Sequence, residues 1–303
     1  MPITLADLTP ELRLAAALDT SLRIILADMG SIRKSGAIVN LGTIDGSGSD
    51  VSRIRFAGLA SDPFVTAADG ATVAETALTV ADSDITVVRG ALVRELTDLA
   101  NLTGFSDDVT PMALAQSMAW GYDRWFNGLV ATTVATFGTD VGGATVDMSV
   151  DDYYDAIFTL ELAVVPGPFY CLLSPNQLAN LQNSLRAEAG AVQFMPATAD
   201  MLKIKWGEGY AGEFLGVSII KSSFVVSGGG SDNGGRWGLG AIGYKTGTVR
   251  PPIGAAVTSV DSEIIVEFNR EAASGLTQIV GQGYAGVGLL EDARGVGIVT
   301  DAP

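Results

Sequence analysis

Three stretches before residue 165 repeat apolar residues at helical spacing. Residues 9–28 do so with Thr9 as a candidate N-cap and Pro10 at the first helical position. Residues 110–137 predict the longest helix, beginning at Thr110-Pro111 and ending before Gly138. Residues 150–164 predict a third helix. Its apolar pattern follows Ser149 and Asp152, which have the spacing of a capping box.

Strand patterns dominate the second half of the chain. The apolar run at residues 169–173, followed by Ser174-Pro175 and a helical pattern over 176–190, predicts a strand-turn-helix step. From residue 213 onward the chain alternates short strand patterns with turns, and the glycine-rich stretch 228–235 is interpreted as a flexible linker. Residues 262–269 predict a half-buried strand. One face carries Ile264, Val266 and Phe268, and the other carries Glu263, Ile265, Glu267 and Asn269.

Residues 46–92 predict a long two-stranded hairpin. Polar and apolar residues alternate at both ends of this stretch, and Asp69-Gly70 is a strong hairpin-turn signal. A turn there puts Arg55 opposite Asp84 and Ala57 opposite Asp82. The middle of the hairpin has few sizeable apolar groups, and a thin ribbon of two strands is marginal alone in water. We therefore expect a neighbouring subunit to support it.

Composition and charge exclude several functional classes. The 303 residues are 48% apolar, which rules out disorder, and no apolar run is long enough for a membrane span. The net charge is −16, so we expect no dedicated nucleic-acid recognition. The chain has no histidine, which removes histidine triads and histidine metal sites. We expect no catalytic residue, no cofactor and no bound metal.

Conspicuous side chains in the predicted elements have structural explanations. Trp120, Trp125 and Phe126 are interpreted as core aromatics of the long helix. Cys171, between apolar neighbours, is interpreted as a buried small side chain. A set of acids around the third helix is explained by capping in preference to a cation site: Asp147, Asp151, Asp152 and Asp155.

Two kinds of motif invite an enzymatic interpretation. The G-x-G-x-x-G patterns at Gly238-Gly240-Gly243 and Gly281-Gly283-Gly286 precede strand and turn patterns, so we interpret them as β corners. S-x-x-K at Ser31 and Lys34, S-D-N at 231–233 and K-T-G at 245–247 follow the order of penicillin-recognising serine enzymes. Their spacing and glycine-rich context argue against that chemistry, which is kept as a minor alternative.

The order of these parts resembles the major capsid proteins of tailed phages, which have the Hong Kong 97-type fold. The resemblance implies an α+β fold with an N-terminal arm (1–45), an extended hairpin loop (46–92), a long spine helix, a peripheral domain (93–165 and 258–303) and an axial domain (166–257). It also implies pentamers and hexamers in an icosahedral shell of a virion, which encloses double-stranded DNA without gripping it. Such a protein assembles in the bacterial host cytoplasm and is neither an enzyme nor a membrane protein.

The resemblance also implies partners and contacts. Five hairpin residues are candidates for contacts between subunits: Arg53, Arg55, Asp82, Asp84 and Arg89. The founding member of the family joins a hairpin lysine to a neighbour's asparagine, but no lysine lies between Lys34 and Lys203, so we expect a non-covalent shell. Because the sequence begins at Met1 with no cleaved segment expected, we expect a separate scaffolding protein. The resemblance also implies a portal and leaves the presence of a decoration protein open. Alternatives are an encapsulin-type nanocompartment shell, and a tail-tube or surface-layer subunit.

Overall fold

The architecture is described from a computed structural model of the chain. It describes residues 32–33, 35–45, 48–57, 69, 80–97, 111–187, 195–196, 210–228, 230–247, 264–271 and 273–302. Several predictions lie outside these residues: the helix over 9–28, the Thr110 cap, Ser31, Lys34 and Gly70. Among the described helices none is long and apolar enough to cross a membrane.

The longest helix, α1 (Pro111–Val134), begins at the predicted proline and ends three residues earlier than expected. Its first half packs on one sheet through Ala115 and Met118, and its second half packs on another sheet through Phe126 and Val130. Phe126 is fully buried as predicted, but the interpretation of Trp120 as a core residue is wrong, since its exposed fraction is 48%. Trp120 lies about 200° around the helix from both Met118 and Tyr122, which places it on the solvent side.

Two shorter helices begin as their sequences predict. Helix α2 (Val150–Leu162) has the capping box: the Ser149 Oγ accepts a 3.2 Å hydrogen bond from the Asp152 N–H, and the Asp152 carboxylate accepts a 2.9 Å bond from the Ser149 N–H. Helix α3 (Pro175–Ala187) follows Ser174, whose Oγ accepts from the Gln177 N–H at 2.9 Å. The acids Asp151 and Asp152 lie in the first turn of α2, where their negative charges interact favourably with the helix dipole.

Eight strands form the larger sheet, which has helices on both faces. Strand β6 (Phe169–Leu173) shows the division, because successive residues of a strand point to opposite faces. Tyr170 and Leu172 pack with the second half of α1, while Cys171 and Leu173 pack with α2 and α3. In spatial order the strands are β5 (Asp140–Gly142), β15 (Gly295–Asp301), β11 (Ser231–Gly238), β6, β9 (Val217–Lys221), β8 (Tyr210–Phe214) and β7 (Met195–Pro196), with β10 (Val226–Gly228) also beside β11.

The interpretation of residues 228–235 as a flexible linker is wrong, because β11 is a central strand of this sheet. It pairs with β15 on one side and with β6 on the other. Its glycines are needed for close packing: a Cβ added at Gly234 would lie 2.5 Å from the Gln177 side-chain oxygen. Gly234 and Gly235, which indicate flexibility in the sequence, are therefore sites where the helix layers approach the sheet.

Five strands form the second sheet around the long strand β14 (Leu276–Leu289). The others are β1 (Val39–Thr43), β4 (Val88–Thr97), β12 (Ile242–Gly247) and β13 (Ile264–Glu271). The strand predicted over 262–269 is confirmed from Ile264 onward, and Ile264 and Val266 pack with the first half of α1. The outward placement of Ile265 is wrong, since its exposed fraction is 3% and both sides of β13 are covered there.

The sheets connect segments that the domain prediction separates. Strand β4 spans the boundary between residues 92 and 93, and β12, in the predicted axial segment, pairs with β14 from the predicted peripheral segment. Strand β15 from the predicted peripheral segment pairs with β11. The domain division itself stays a prediction.

Candidate subunit interface on the hairpin

The base of the predicted hairpin is present as two antiparallel strands, β2 (Val51–Ala57) and β3 (Val80–Thr86). The predicted register is wrong by two residues, because Arg53 pairs with Asp84 and Arg55 pairs with Asp82. Alternation determines which side chains share a face, and a shift of two residues leaves that face unchanged. The sequence pattern therefore predicts the faces of the hairpin but not its register.

Two ion pairs form a ladder on the exposed face of this ribbon. The Arg53 Nε donates to Asp84 at 2.9 Å and its Nη2 donates to the second carboxylate oxygen at 3.1 Å. The Arg55 Nε donates to Asp82 at 3.1 Å. The hydrogen bond from Arg53 lowers the pKa of the Asp84 carboxyl. All four charged side chains are partly exposed to solvent, so a neighbouring molecule could contact the ladder.

The opposite face of the ribbon lies on its own chain. Ile85 is fully buried, and the Ser83 hydroxyl donates to the Leu289 carbonyl at the end of β14. The Lys245 Nζ donates to the Ser52 Oγ at 2.7 Å. The expectation that the ribbon needs a neighbouring subunit is thus wrong for its base, which the chain itself supports. Asp69 lies in a turn, as predicted.

Glycines of β14 form the seat for the hairpin base. A Cβ at Gly286 would collide with the Thr86 carbonyl oxygen, and one at Gly288 would lie 2.7 Å from the Ile85 side chain. In the G-x-G-x-x-G pattern that begins at Gly238, a Cβ at Gly238 would lie 2.6 Å from Val165. The pattern at Gly238-Gly240-Gly243 forms a corner between β11 and β12, as expected, whereas the pattern at Gly281-Gly283-Gly286 lies within the continuous strand β14, so its interpretation as a corner is wrong.

Arg89 is separated from the other four candidate residues. The ribbon ends at Thr86, and Arg89 lies exposed on β4, opposite Tyr284 of β14. The turn from one sheet to the other occurs at Val87, whose N–H donates to the Asp50 carbonyl at 2.8 Å. The structure therefore brings together Arg53, Arg55, Asp82 and Asp84, and their role as contacts between subunits stays a prediction.

Of the serine-enzyme motifs, S-D-N at 231–233 and K-T-G at 245–247 lie among the described residues, and they are on two different sheets. Asp232 is buried and accepts a hydrogen bond from the Ser174 hydroxyl, and Lys245 lies on the other sheet with its bond to Ser52. Cys171 is fully buried as predicted, and burial raises the pKa of its thiol to about 12. In the described part of the chain no group of three or more acids or cysteines could hold a metal ion.

The contacts that fix the hairpin base, at Ser52, Ser83 and Ile85, were not predicted. Ser83 and Ile85 lie on the same face of β3, which is a recognisable inward pattern, whereas the glycines that they contact belong to a strand some 200 residues later. A row of exposed apolar side chains on α2 was not predicted either, although residues 154, 158 and 162 recur at a spacing of four.

Comparison with known proteins identifies the fold. No protein-family model matches the sequence, and no curated protein matches it. Solved structures do match. The match to the capsid of Ralstonia phage GP4 covers 91% of this chain and 92% of the GP4 chain, with a TM-score of 0.61 and 10% identity. A chain from Mycobacterium phage Che8 covers 90% of each, with a TM-score of 0.52 and 16% identity. The SrpI encapsulin of Synechococcus elongatus covers 87% and 84%, with a TM-score of 0.55 and 11% identity.

This chain therefore has the fold of phage capsid proteins, which confirms the resemblance seen in the sequence. The mixed α and β composition agrees with the predicted α+β class. The arm, the role of α1 as a spine helix and the two domains stay predictions.

Proposed function

We propose that this protein is the major capsid protein of a tailed double-stranded DNA bacteriophage, located in the virion. The observation that carries the proposal is the similarity of nearly the whole chain to nearly the whole of phage capsid chains, as with that of phage GP4. A match of this extent leaves little of the chain for an added catalytic module. The function follows from assembly of many copies, not from a reacting site.

The charge of the chain supports this role. A shell must enclose DNA at high concentration without adhering to it, and a subunit of net charge −16 repels phosphate on average. The arginines of the hairpin base do not oppose this argument, because Arg53 and Arg55 are already paired with carboxylates.

In this proposal the copies form pentamers and hexamers of an icosahedral shell, which assembles in the bacterial host cytoplasm. The exposed Arg53–Asp84 and Arg55–Asp82 ladder contributes contacts between subunits, and Arg89 contributes from β4. The shell is non-covalent, because the described hairpin carries arginines and no lysine, and the sequence has none between Lys34 and Lys203. A separate scaffolding protein and a portal complete the particle.

The second candidate is the shell of an encapsulin-type nanocompartment, which the similarity to the SrpI encapsulin favours. Such a shell differs from a phage capsid in its contents, which are protein instead of genomic DNA. The two proposals therefore predict the same fold and the same kind of hollow particle.

Electron microscopy of the purified protein tests the proposal. We expect hollow, roughly spherical particles of uniform size, and a denaturing gel with a single monomer band, since the shell is non-covalent. Filaments indicate a tail-tube subunit, and an oligomer that stays small when a scaffolding protein is co-expressed rules out a shell. Particles that enclose a co-expressed cargo protein and no DNA favour the nanocompartment, whereas particles that package DNA with a phage portal favour the capsid.

A further inference from the structure

Helix α2 exposes a row of large apolar side chains on the side away from the sheet. Tyr154, Phe158 and Leu162 recur every four residues, so they lie in one row along the helix. Their exposed fractions rise from 40% through 59% to 67%. Residues 153, 156 and 160 face the core on the other side of the helix and are buried. The row is therefore separate from the core-facing side of α2, and it is not needed to pack the helix on the sheet.

Acidic residues flank this row on both sides. Asp155 and Glu161 are exposed, and α2 carries no lysine or arginine. We call Tyr154, Asp155, Phe158, Glu161 and Leu162 the acidic apolar face. A contiguous apolar patch with a rim of one charge is typical of a protein interaction site.

Helix α1 exposes a surface of the opposite charge. Trp120 is 48% exposed, Arg124 follows it one turn later and is exposed, and the Arg124 guanidinium lies 5.9 Å above the ring of Phe224, which is 38% exposed. Arg124 forms no ion pair with any residue of the part of the chain that the structure describes. We call Trp120, Arg124 and Phe224 the basic aromatic face.

The two faces lie on opposite sides of the eight-stranded sheet. Val225, beside Phe224, belongs to the core between α1 and the sheet, whereas Tyr153 and Leu160 of α2 belong to the core on the other side. A helix is about 10 Å in diameter and packs about 10 Å from a sheet, so the faces are on the order of 20 Å apart or more. They cannot meet within one molecule.

We infer that the acidic apolar face of one copy binds the basic aromatic face of the next copy, head to tail, within each ring of the shell. The charges of the two faces are complementary, and each copy presents both. A contact between two different faces of identical chains makes closed rings when the rotation between copies divides the circle. This inference rests on the proposed shell function and names the surfaces that build its pentamers and hexamers.

Engineered cysteines test the contact directly. The double variant Trp120→Cys with Phe158→Cys, mildly oxidised after assembly, is expected to give a ladder of disulfide-linked oligomers that ends at the pentamer and hexamer on a non-reducing gel. Native Cys171 is buried and does not interfere. Each single variant is the control and is expected to stay monomeric on the same gel, because a head-to-tail contact places a cysteine next to a cysteine only in the double variant.

The possible results separate this inference from the proposed function. Wild-type particles seen by microscopy together with no ladder in an assembled double variant overturn the inference and leave the shell intact. A dimer from either single variant means that like faces meet, and a disulfide within one chain means that the faces are not on opposite sides; both overturn it. A ladder from a protein that never forms particles supports the ring contact and overturns the shell.

Charge exchange gives a second readout. Arg124→Glu is expected to raise the concentration needed for assembly about tenfold, since it sets like charges against each other across the contact. Adding Asp155→Arg and Glu161→Arg to the same chain is expected to bring that concentration back to within about threefold of the wild type, because every contact again joins opposite charges. Lys221→Glu, an exposed position outside both faces, makes the same change in net charge and serves as the control. Failure of the added substitutions to restore assembly contradicts the pairing.

Discussion

The indole Nε1 of Trp237 donates a 2.7 Å hydrogen bond to the carbonyl oxygen of Ala37, and both residues are fully buried. Trp237 lies on β11 of the eight-stranded sheet, and Ala37 lies just before β1 of the five-stranded sheet. The bond therefore attaches the segment around residue 37 to the core between the two sheets.

Replacing Trp237 tests the value of this bond. We expect Trp237→Phe to lower the free energy of unfolding by about 2–4 kcal/mol, because it leaves the buried Ala37 carbonyl without a donor and leaves a space beside it. Denaturant unfolding of the unassembled chain measures the change. Trp125→Phe is the control. Trp125 is a half-buried residue of α1 whose indole N–H donates no hydrogen bond to the described residues, so this substitution is expected to lower the free energy of unfolding by less. Equal costs for the two variants contradict the importance of the bond.

Gly286→Ala tests the seat of the hairpin. The added methyl group meets the Thr86 carbonyl, a backbone atom that moves only with its strand, so we expect a loss of about 1–3 kcal/mol in unfolding free energy. Gly128→Ala is the matched control: it lies inside α1 with open space around it, and the same substitution is expected to gain about 0.5–1 kcal/mol. Thermal unfolding compares the two variants. A Gly286→Ala protein as stable as the wild type shows that the hairpin base does not lie on β14.

The Arg53–Asp84 pair predicts a pH effect. The hydrogen bond from Arg53 lowers the pKa of Asp84 in the folded protein. The contact therefore stabilises the fold at pH values above the ordinary pKa of an aspartate, and this stabilisation is lost as the pH falls through the lowered value. We expect the Asp84 carboxyl resonance of carbon-13-labelled protein to titrate below its ordinary range, and Arg53→Gln to return it upward. A titration that Arg53→Gln leaves unchanged excludes the pair in solution.

Cys171 predicts the reactivity of the thiol. Burial raises the pKa of this group to about 12, so almost none of it is thiolate at pH 8. We expect a thiol reagent at pH 8 to label the native protein at least a hundredfold more slowly than the urea-unfolded protein. Because the folded protein holds the thiol proton more tightly than the unfolded chain, stability is expected to fall as the pH rises above about 9. Rapid native labelling contradicts the position of Cys171 between the sheet and α2.

Local sequence patterns predicted the elements whose signals lie within a few residues. The capping box at Ser149 and Asp152, the helix start at Pro111 and the buried strand around Cys171 are of this kind, because their hydrogen bonds and spacing are local. The faces of the hairpin strands were also predictable. Their register was not, since a shift of two residues preserves the same alternation.

Features that depend on packing against distant parts of the chain could not be predicted from local sequence patterns. In the sequence, the glycines around Gly234 suggest a flexible segment. In the structure they leave room for a helix that lies some 50 residues earlier in the chain, and no local pattern reveals that contact. Ile265 shares a face of the predicted strand with Glu263 and Glu267, which suggests exposure to solvent. It is buried nevertheless, since β13 is covered on both sides there. Arg236 is buried as well, with its guanidinium 4.9 Å from the Phe169 ring, and no neighbouring residue in the sequence indicates that placement. Sequence indicates which faces exist, whereas tertiary packing decides which of them are covered.

The position of β14 also determines when this chain can finish folding. Its pairing with β4 joins Leu276 to Thr97 and Ala285 to Val88, residues separated by roughly two-thirds of the chain. At about 5–20 residues per second, a ribosome needs on the order of 10–40 s to make the intervening segment. During that time β4 has no β14 to pair with, and such long-range pairing is slow to form. The nascent chain is thus most vulnerable to aggregation in the interval before β14 emerges.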